Sequence, residues 1–548
     1  MLKPIYCDII SVFLQKNKTM PSDCISYQES GYFSKLMNDY LDEKTNLKAL
    51  YNRFPKLENF SEQIQEKQNN FSIENRKTLV DSLNNQYQNF ETSETTLNNI
   101  KLLNEENTFT ITTGHQLNLF TGPLYFLYKI ISTINLCEQL KKEYPNQNFV
   151  PIYWMATEDH DFEEINHFWF KENKVSWQKE SFGPVGRLST EGLAEVFEQF
   201  SQDLGLGENA DYLKDLFRKG YLEHINLADA TRYIANEIFK EKGLVILDGD
   251  DKNLKQLFVP FAKEELVNQT SSEEVLKTNE LLSEYKIQVN PREINLFYIE
   301  DNLRERIVFE DNIYKVLNTN YTFSESEILA ELENHPEKFS PNVILRPLYQ
   351  EVILPNLCYI GGGGELAYWL ELKSNFEVNN VTFPMLLLRN SVLIATNKQV
   401  EKAYKLDLTW ADLFSKQEDL ISHKTKALSN FDIDFTTQKE HLKKQFVDLY
   451  EIAAKTDKSF IGAVKAQEVK QIKGLENLEK RLLKAEKRVL SEKLERITSL
   501  QNELFPKQSL QERKANFSEY YLEFGPTLID KLFLELKPLE KEFTIVVL

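Results

Sequence analysis

Apolar residues along the chain fall into short, nearly uninterrupted runs that alternate with longer stretches at helical spacing. Phe109–Thr113 is a β-branched run, a turn carrying two glycines follows from Gly114 to Pro123, and Leu124–Leu140 repeats apolar residues at helical intervals. Pro123 is placed just inside that helix start, where its missing N–H costs nothing. Phe149–Ala156 is almost wholly apolar, as a strand buried on both faces of a parallel sheet requires. Strand, helix and strand in succession make a βαβ unit. Gly243–Leu247, stopped by Asp248-Gly249-Asp250-Asp251, Leu357–Ile360, stopped by four glycines, and Met385–Leu388 supply further strands. The pattern therefore predicts an α/β fold, a Rossmann-like, doubly wound parallel sheet over 1–390. Inserted segments are expected at about 167–240, opening with a hairpin at His167–Lys179, and at about 265–340, with short strands at Leu296–Ile299, Ile307–Phe309 and Ile313–Val316. Residues 30–105 are polar, with Leu79, Leu83 and Tyr87 at helical spacing, and read as a helical cover.

From residue 391 the chain becomes Lys/Glu/Leu-rich helix. Leu478, Leu482, Ala485 and Val489 step by 4, 3 and 4, and a shifted set, Leu490, Leu494 and Ile497, continues. An α-helical coiled-coil domain over 391–505 is expected, either an antiparallel hairpin or an intermolecular zipper. Pro506 ends it, and 506–548 is expected to return to the core, with Phe543–Leu548 as a strand of the sheet.

Charge and cysteine usage narrow the function classes. A formal charge of −19 and a pI near 5.1 argue against a nucleic-acid surface, and small anions would need a focused positive pocket. Cys7, Cys24, Cys137 and Cys358 are too scattered for a disulfide framework and fit a reducing compartment. Asp8 interrupts what would have to be a signal sequence, and Lys129 and Arg389 interrupt the longest apolar stretches below the ~18 residues of a membrane span. A cytoplasmic protein without a membrane partner is expected.

Ligands of open α/β sheets bind beyond the carboxyl ends of the strands. After the first strand, Thr113-Gly114-His115-Gln116, with Asn118, Thr121 and Gly122, offers close backbone approach and helix amides for a phosphate or carboxylate. The bland alternative is a tight turn with capping threonines. No P-loop or G-x-G-x-x-G pattern occurs. After the second strand, Glu158-Asp159-His160-Asp161 could bind a divalent cation, orient a nucleophile or hold an ammonium group. Carboxylates favouring a helix start explain Glu163 and Glu164 better than Asp159 and His160. The four glycines, ending in Gly363 and Gly364, lead into Glu365, Tyr368, Trp369 and Lys373. Arg346 and Gln350 share a face if Pro341–Leu354 is helical despite Pro347, and Arg346, Lys373 and Arg389 are the cations available for an anion. Cys358 lies in an apolar strand and reads as a structural thiol, and no G-x-S-x-G elbow occurs.

Thr-Gly-His-Gln-x-x-x-Phe-Thr-Gly-Pro-Leu-Tyr at 113–125, Glu-Asp-His-Asp-Phe-Glu-Glu-Ile-Asn-His at 158–167, Leu-Arg-Pro at 345–347 and Gly-Gly-Glu-x-Ala-Tyr-Trp-x-x-Leu-Lys at 363–373 together resemble the BshC family, the cysteine ligases of bacillithiol biosynthesis. Ser30–Ser34, Leu510–Arg513 with Asn516, and Gly525–Asp530 extend the resemblance from about residue 22 onward. Gly363 departs from the proline more usual in the family, and His115 stands where many members carry glutamine. The resemblance implies a nucleotidylyltransferase-like core, a homodimer formed through the C-terminal helices, and addition of cysteine to glucosaminyl malate by amide formation. Such a ligase must turn a carboxylate oxygen into a leaving group, which implies ATP or another nucleoside triphosphate with Mg²⁺. On this reading the phosphates sit at Gly114–Gly122, His115 and Gln116 act on the reacting oxygens, and Asp159 or His160 serves the incoming amine. Glu365, Tyr368 and Lys373 line the facing wall, and no metal ligands are assigned. The competing expectations are a metal-dependent amide hydrolase built on Glu158–Asp161 and a non-catalytic coiled-coil scaffold.

Overall fold

The computed structural model describes residues 23–548, so Cys7 and Asp8 lie outside the described residues. Its strands are β1 (Asp23–Ser26), β2 (Thr108–His115), β3 (Asn148–Met155), β4 (His167–Phe170), β5 (Asn173–Ser176), β6 (Val245–Asp248), β7 (Leu296–Glu300), β8 (Leu303–Glu310), β9 (Ile313–Val316), β10 (Thr322–Phe323), β11 (Phe339–Pro341), β12 (Asn356–Gly361), β13 (Met385–Leu388), β14 (Ser391–Ala395) and β15 (Glu542–Val547). The apolar runs form one parallel sheet in the order β13-β12-β2-β3-β6. Its strands are buried nearly throughout, because helices cover both faces. The chain proceeds from β2 to β3 and β6 on one side, then returns to place β12 and β13 on the other. The strand order thus reverses between β2 and β12, where a crevice opens at their carboxyl ends.

The helical cover is fastened by polar anchors as well as by Leu79, Leu83 and Tyr87, all buried. The Arg76 guanidinium donates to the carbonyls of Leu103 and Thr108 at 3.1 and 2.8 Å, and the Tyr87 hydroxyl accepts from the Ile246 amide at 2.7 Å.

The turn after β2 differs from expectation. Gly114 and His115 belong to the strand, and helix α1 (Tyr125–Glu143) begins with Leu124 as its N-cap, leaving Pro123 outside. Between them Phe120 and Thr121 take left-handed φ values of 47° and 68°. Phe120 is fully buried against Phe168, Phe200, Phe217 and Phe517. The Asn516 side-chain amide donates to the Phe120 and Gly122 carbonyls at 2.7 and 2.6 Å, and the Leu124 amide donates to the Ala515 carbonyl at 2.9 Å. This stretch is a buried clasp to the C-terminal segment.

The first insert contains the β4–β5 hairpin and three helices, Leu193–Leu204, Glu208–Leu222 and Leu227–Phe239. The second folds into an antiparallel sheet in the order β10-β9-β8-β7-β11, which borders the crevice. Helix α2 (Lys252–Asn268) follows β6, α3 (Leu345–Ile353) precedes β12, and α4 (Gly363–Leu370) follows it. Pro347 lies in the first turn of α3, where it removes no intrahelical hydrogen bond.

Strand β15 does return to the core region but does not join the parallel sheet. It runs parallel to β14 and antiparallel to β1 in a separate three-stranded sheet. The helical arm is an antiparallel hairpin of α5 (Thr436–Ala453) and α6 (Lys458–Val489), with Phe446, Ala453 and Val464 as its small core and a Lys439–Glu479 ion pair of 2.8 Å across it. Leu494 and Ile497 lie beyond α6 in the next helix and pack on Leu420, so the shifted set continues no heptad.

Candidate functional site

A cavity of about 700 Å³ occupies the crevice at the switch point. Its floor comes from the strand ends: Gly114 and His115 of β2, Met155 to Asp159 after β3, and Tyr359 of β12. Glu365 and Tyr368 of α4 and Arg346 of α3 form one wall, and the second insert forms the opposite wall with Arg292, Arg304 and Arg306. Four of these lining side chains are arginines in a chain whose net charge is −19. Among the described residues none of the four has a carboxylate within ion-pair distance.

The acids at the rim are already engaged. Glu158 pairs with buried Lys255 at 2.7 Å, and Lys255 also meets Asp250 at 3.0 Å. Asp250 accepts a two-pronged contact from Arg187 at 2.7 and 2.9 Å. Burial raises the carboxyl of Glu158, and burial with the neighbouring Asp250 charge pushes Asp248 up to about 6. Burial opposes ionisation of Asp250 too, but Lys255 and Arg187 pull it down to about 2. Glu365 pairs with Lys129, a side chain 2% exposed whose ammonium lies 2.5 Å from Glu365 Oε1 and 2.7 Å from the Gly114 carbonyl. The Tyr359 hydroxyl donates to the other Glu365 oxygen at 3.0 Å. Lys129 thus ties the end of β2 to α4 from below the cavity.

His115 is buried against Tyr125 and Phe126, and among the described residues its Nε2 has no hydrogen-bond partner. Burial, reinforced by Lys129, holds its ring neutral, well below the usual histidine range. Gln116 bridges Asp159 and Glu164, donating at 2.8 Å to each. Asp159 accepts from the amide of His160 at 2.8 Å. The His160 ring lies against Phe297, and its Nδ1 is 2.7 Å from the Arg304 guanidinium. Because arginine can only donate, that nitrogen is an acceptor, and His160 keeps a single N–H at Nε2. Asp161 caps the short helix Phe162–Ile165. The acidic run therefore disperses into caps and ion pairs. Among the described residues no group of three or more His, Cys, Asp or Glu side chains comes together as for a metal ion.

Several residues expected at the site lie elsewhere. Thr113 donates to the Ile360 carbonyl at 2.7 Å, tying β2 to β12, while Asn118, Thr121 and Gly122 belong to the buried clasp. Of the stretch Gly114–Gly122, only Gly114, His115 and Gln116 border the cavity. Trp369 is stacked on Tyr359 with centroids 4.5 Å apart and does not line the cavity. Gln350 is buried and accepts from Arg346 at 3.0 Å, so it orients rather than binds. Lys373 pairs with Glu377, and Arg389 is buried on Glu512, with Gly363 and Gly364 around a separate small cavity. The insert arginines went unread, although Arg304 and Arg306 stand two apart in a strand and so share a face. Lys129 was visible only as a charge interrupting an apolar helix.

Comparison with known proteins follows the same division of the chain. Residues 20–390 match the family model described as "Bacillithiol biosynthesis BshC, N-terminal Rossmann-like domain", and residues 392–548 match "Bacillithiol biosynthesis BshC, C-terminal coiled-coil domain". A protein of Flavobacterium johnsoniae named "Putative cysteine ligase BshC" is 67% identical over 527 residues, covering 96% of this chain and 100% of its own length. Proteins of the same name from Flavobacterium psychrophilum and Christiangramia forsetii are 64% and 59% identical, each covering 96% of this chain and 99% of its own length.

Proposed function

Since the chain belongs to the BshC family of bacillithiol biosynthesis, we propose that it is the cysteine ligase of that route, joining the carboxyl of cysteine to the amine of glucosaminyl malate. The observation that carries this reading is the arginine-lined cavity at the strand ends, which suits a polyanionic small molecule in an otherwise acidic protein. Arg292, Arg304 and Arg306 hold the malate carboxylates against the insert wall. Arg346, kept in place by Gln350 and by the Tyr368 hydroxyl at 3.5 Å, faces the activated cysteine. Asp159 accepts the proton of the attacking amine. It takes this role in preference to His160, whose acceptor nitrogen is occupied by Arg304. Neutral His115 offers its unpartnered Nε2 to the reacting oxygen. Gly114, Gln116 and Arg346 would face the phosphates of a nucleoside triphosphate, which with Mg²⁺ would supply the leaving group that a free carboxylate lacks.

Incubating the purified protein with cysteine, glucosaminyl malate, Mg²⁺ and ATP is expected to yield bacillithiol together with AMP or ADP. Arg306→Ala should raise the KM for glucosaminyl malate at least tenfold with little change in kcat, and Asp159→Asn should lower kcat. Absence of product from the complete mixture would remove the ligase reading in favour of a scaffold. Release of free cysteine from bacillithiol without nucleotide would favour a hydrolase.

A further inference from the structure

A second cavity of about 170 Å³ lies behind the glycine turn, bordered by Gly362, Gly363, Gly364, Arg389 and Arg513. Helix α4 opens onto it with no side-chain cap, so the amides of its first turn have no acceptor within the helix, and its first two residues are glycines that leave them uncovered. Arg389 supplies an independent sign. It is 5% exposed, its two terminal nitrogens are held by Glu512 at 3.1 and 2.7 Å, and among the described residues its Nε has no acceptor. A Cβ built on Gly362 would lie 3.8 Å from that Nε, so the orphan donor and the bare amides converge on one space. A buried donor left without an acceptor is destabilising, and an anion placed there would satisfy it. Glu512 is satisfied by Arg389 and by the Val392 amide at 3.0 Å, and among the described residues Arg513 is exposed and has no acidic partner. Glu365, whose Oε1 lies 3.7 Å from the same Cβ position, is paired with Lys129, so with both nearby acids paired the local balance is positive.

We infer that this cavity binds one small oxyanion, a carboxylate or a phosphate group, through the Gly363 and Gly364 amides, the Arg389 Nε and Arg513. Its volume admits an amino acid or inorganic phosphate, while a nucleoside triphosphate is too large for it. The inference goes beyond the ligase reading and does not depend on what fills the larger cavity.

Titration calorimetry on the full chain tests it with inorganic phosphate in one arm and cysteine in another, cysteamine serving as the carboxylate-free control. Gly362→Ala is the informative variant. The backbone there, at φ −73° and ψ 165°, suits alanine, and the new methyl would meet only Glu365 Oε1 at 3.7 Å and the Arg389 Nε. It keeps the fold and fills the space facing the donor. Wild type is expected to bind phosphate or cysteine but not cysteamine. Gly362→Ala should weaken that binding at least tenfold and Arg513→Gln several-fold, with glucosaminyl malate affinity unchanged in both. Binding in the cysteine arm alone would assign an amino-acid carboxylate, and binding in the phosphate arm alone a phosphate. Failure of the wild type to bind either anion, or wild-type binding by both variants, would overturn the inference. Should Gly362→Ala not fold, the Arg513→Gln result decides.

Discussion

Lys129 shows how one side chain can hold a site together without entering it. Its ammonium is shared between the Gly114 carbonyl and Glu365, so removing it leaves a partly buried carboxylate beside the cavity without its ion-pair partner. Lys129→Met should lower stability in urea by about 3 kcal/mol and cut turnover at least tenfold, and adding Glu365→Gln should restore most of the stability but not the turnover. Asp248 gives a second case with a definite pH sign. Its folded carboxyl titrates at about 6, above the ~3.9 of an unfolded aspartate, so the folded state holds the extra proton and stability from this group falls as pH rises through that window. Asp248→Asn keeps an acceptor for Thr157 and the Asp250 amide. Thermal melts should show the variant gaining on the parent at pH 7.5, with the gain shrinking as the pH falls from about 6 towards about 4. Neither residue stood out in the sequence as more than an interruption or a strand stop. What makes each consequential is a partner brought near by folding: Glu365 lies far along the chain from Lys129, and Thr157 far from Asp248.

At the scale of elements, the strands were legible because a parallel sheet covered on both faces demands continuous apolar runs, and Phe149–Met155 and Met385–Leu388 can do little else. The turn after β2 divides between cavity and core for a physical reason. Its glycines resembled a ligand loop, yet Gly122 serves the backbone: it has φ 63°, and a Cβ there would fall 2.6 Å from the Asn118 side chain. The residue that decides the segment is Phe120, whose aromatic neighbours come from both the first insert and the C-terminal segment. Phe120→Ala is expected to cost about 3–5 kcal/mol in denaturant unfolding, far more than truncation of a solvated loop residue would. The second insert was legible as strands but not as an arginine wall, since alternation assigns Arg304 and Arg306 to one face without saying what that face meets.

For the whole molecule, the charge of −19 and the cavity describe different length scales. The surface repels polyanions, while four arginines without carboxylate partners among the described residues make one local exception. The arm carries its own unresolved surface. Phe460, Val469, Leu478 and Val489 of α6 are exposed apolar residues on a hairpin whose internal core is small. A second copy of the chain is the expected cover, as light scattering should show by a dimer mass that falls to the monomer in Phe460→Glu/Leu478→Glu. The repeat in the sequence supported hairpin and zipper equally, because heptads fix a seam and not the identity of the helix across it.

The small sheet in which β15 lies between β1 and β14 has a consequence for how the polypeptide can be divided. Its central strand is supplied from beyond the arm, and the buried Arg389–Glu512 pair crosses the same junction. A protease that cut the exposed link between α5 and α6 would sever the backbone without releasing either piece. Both fragments should co-elute as one particle, and two separately expressed halves broken at that link should reassemble into it.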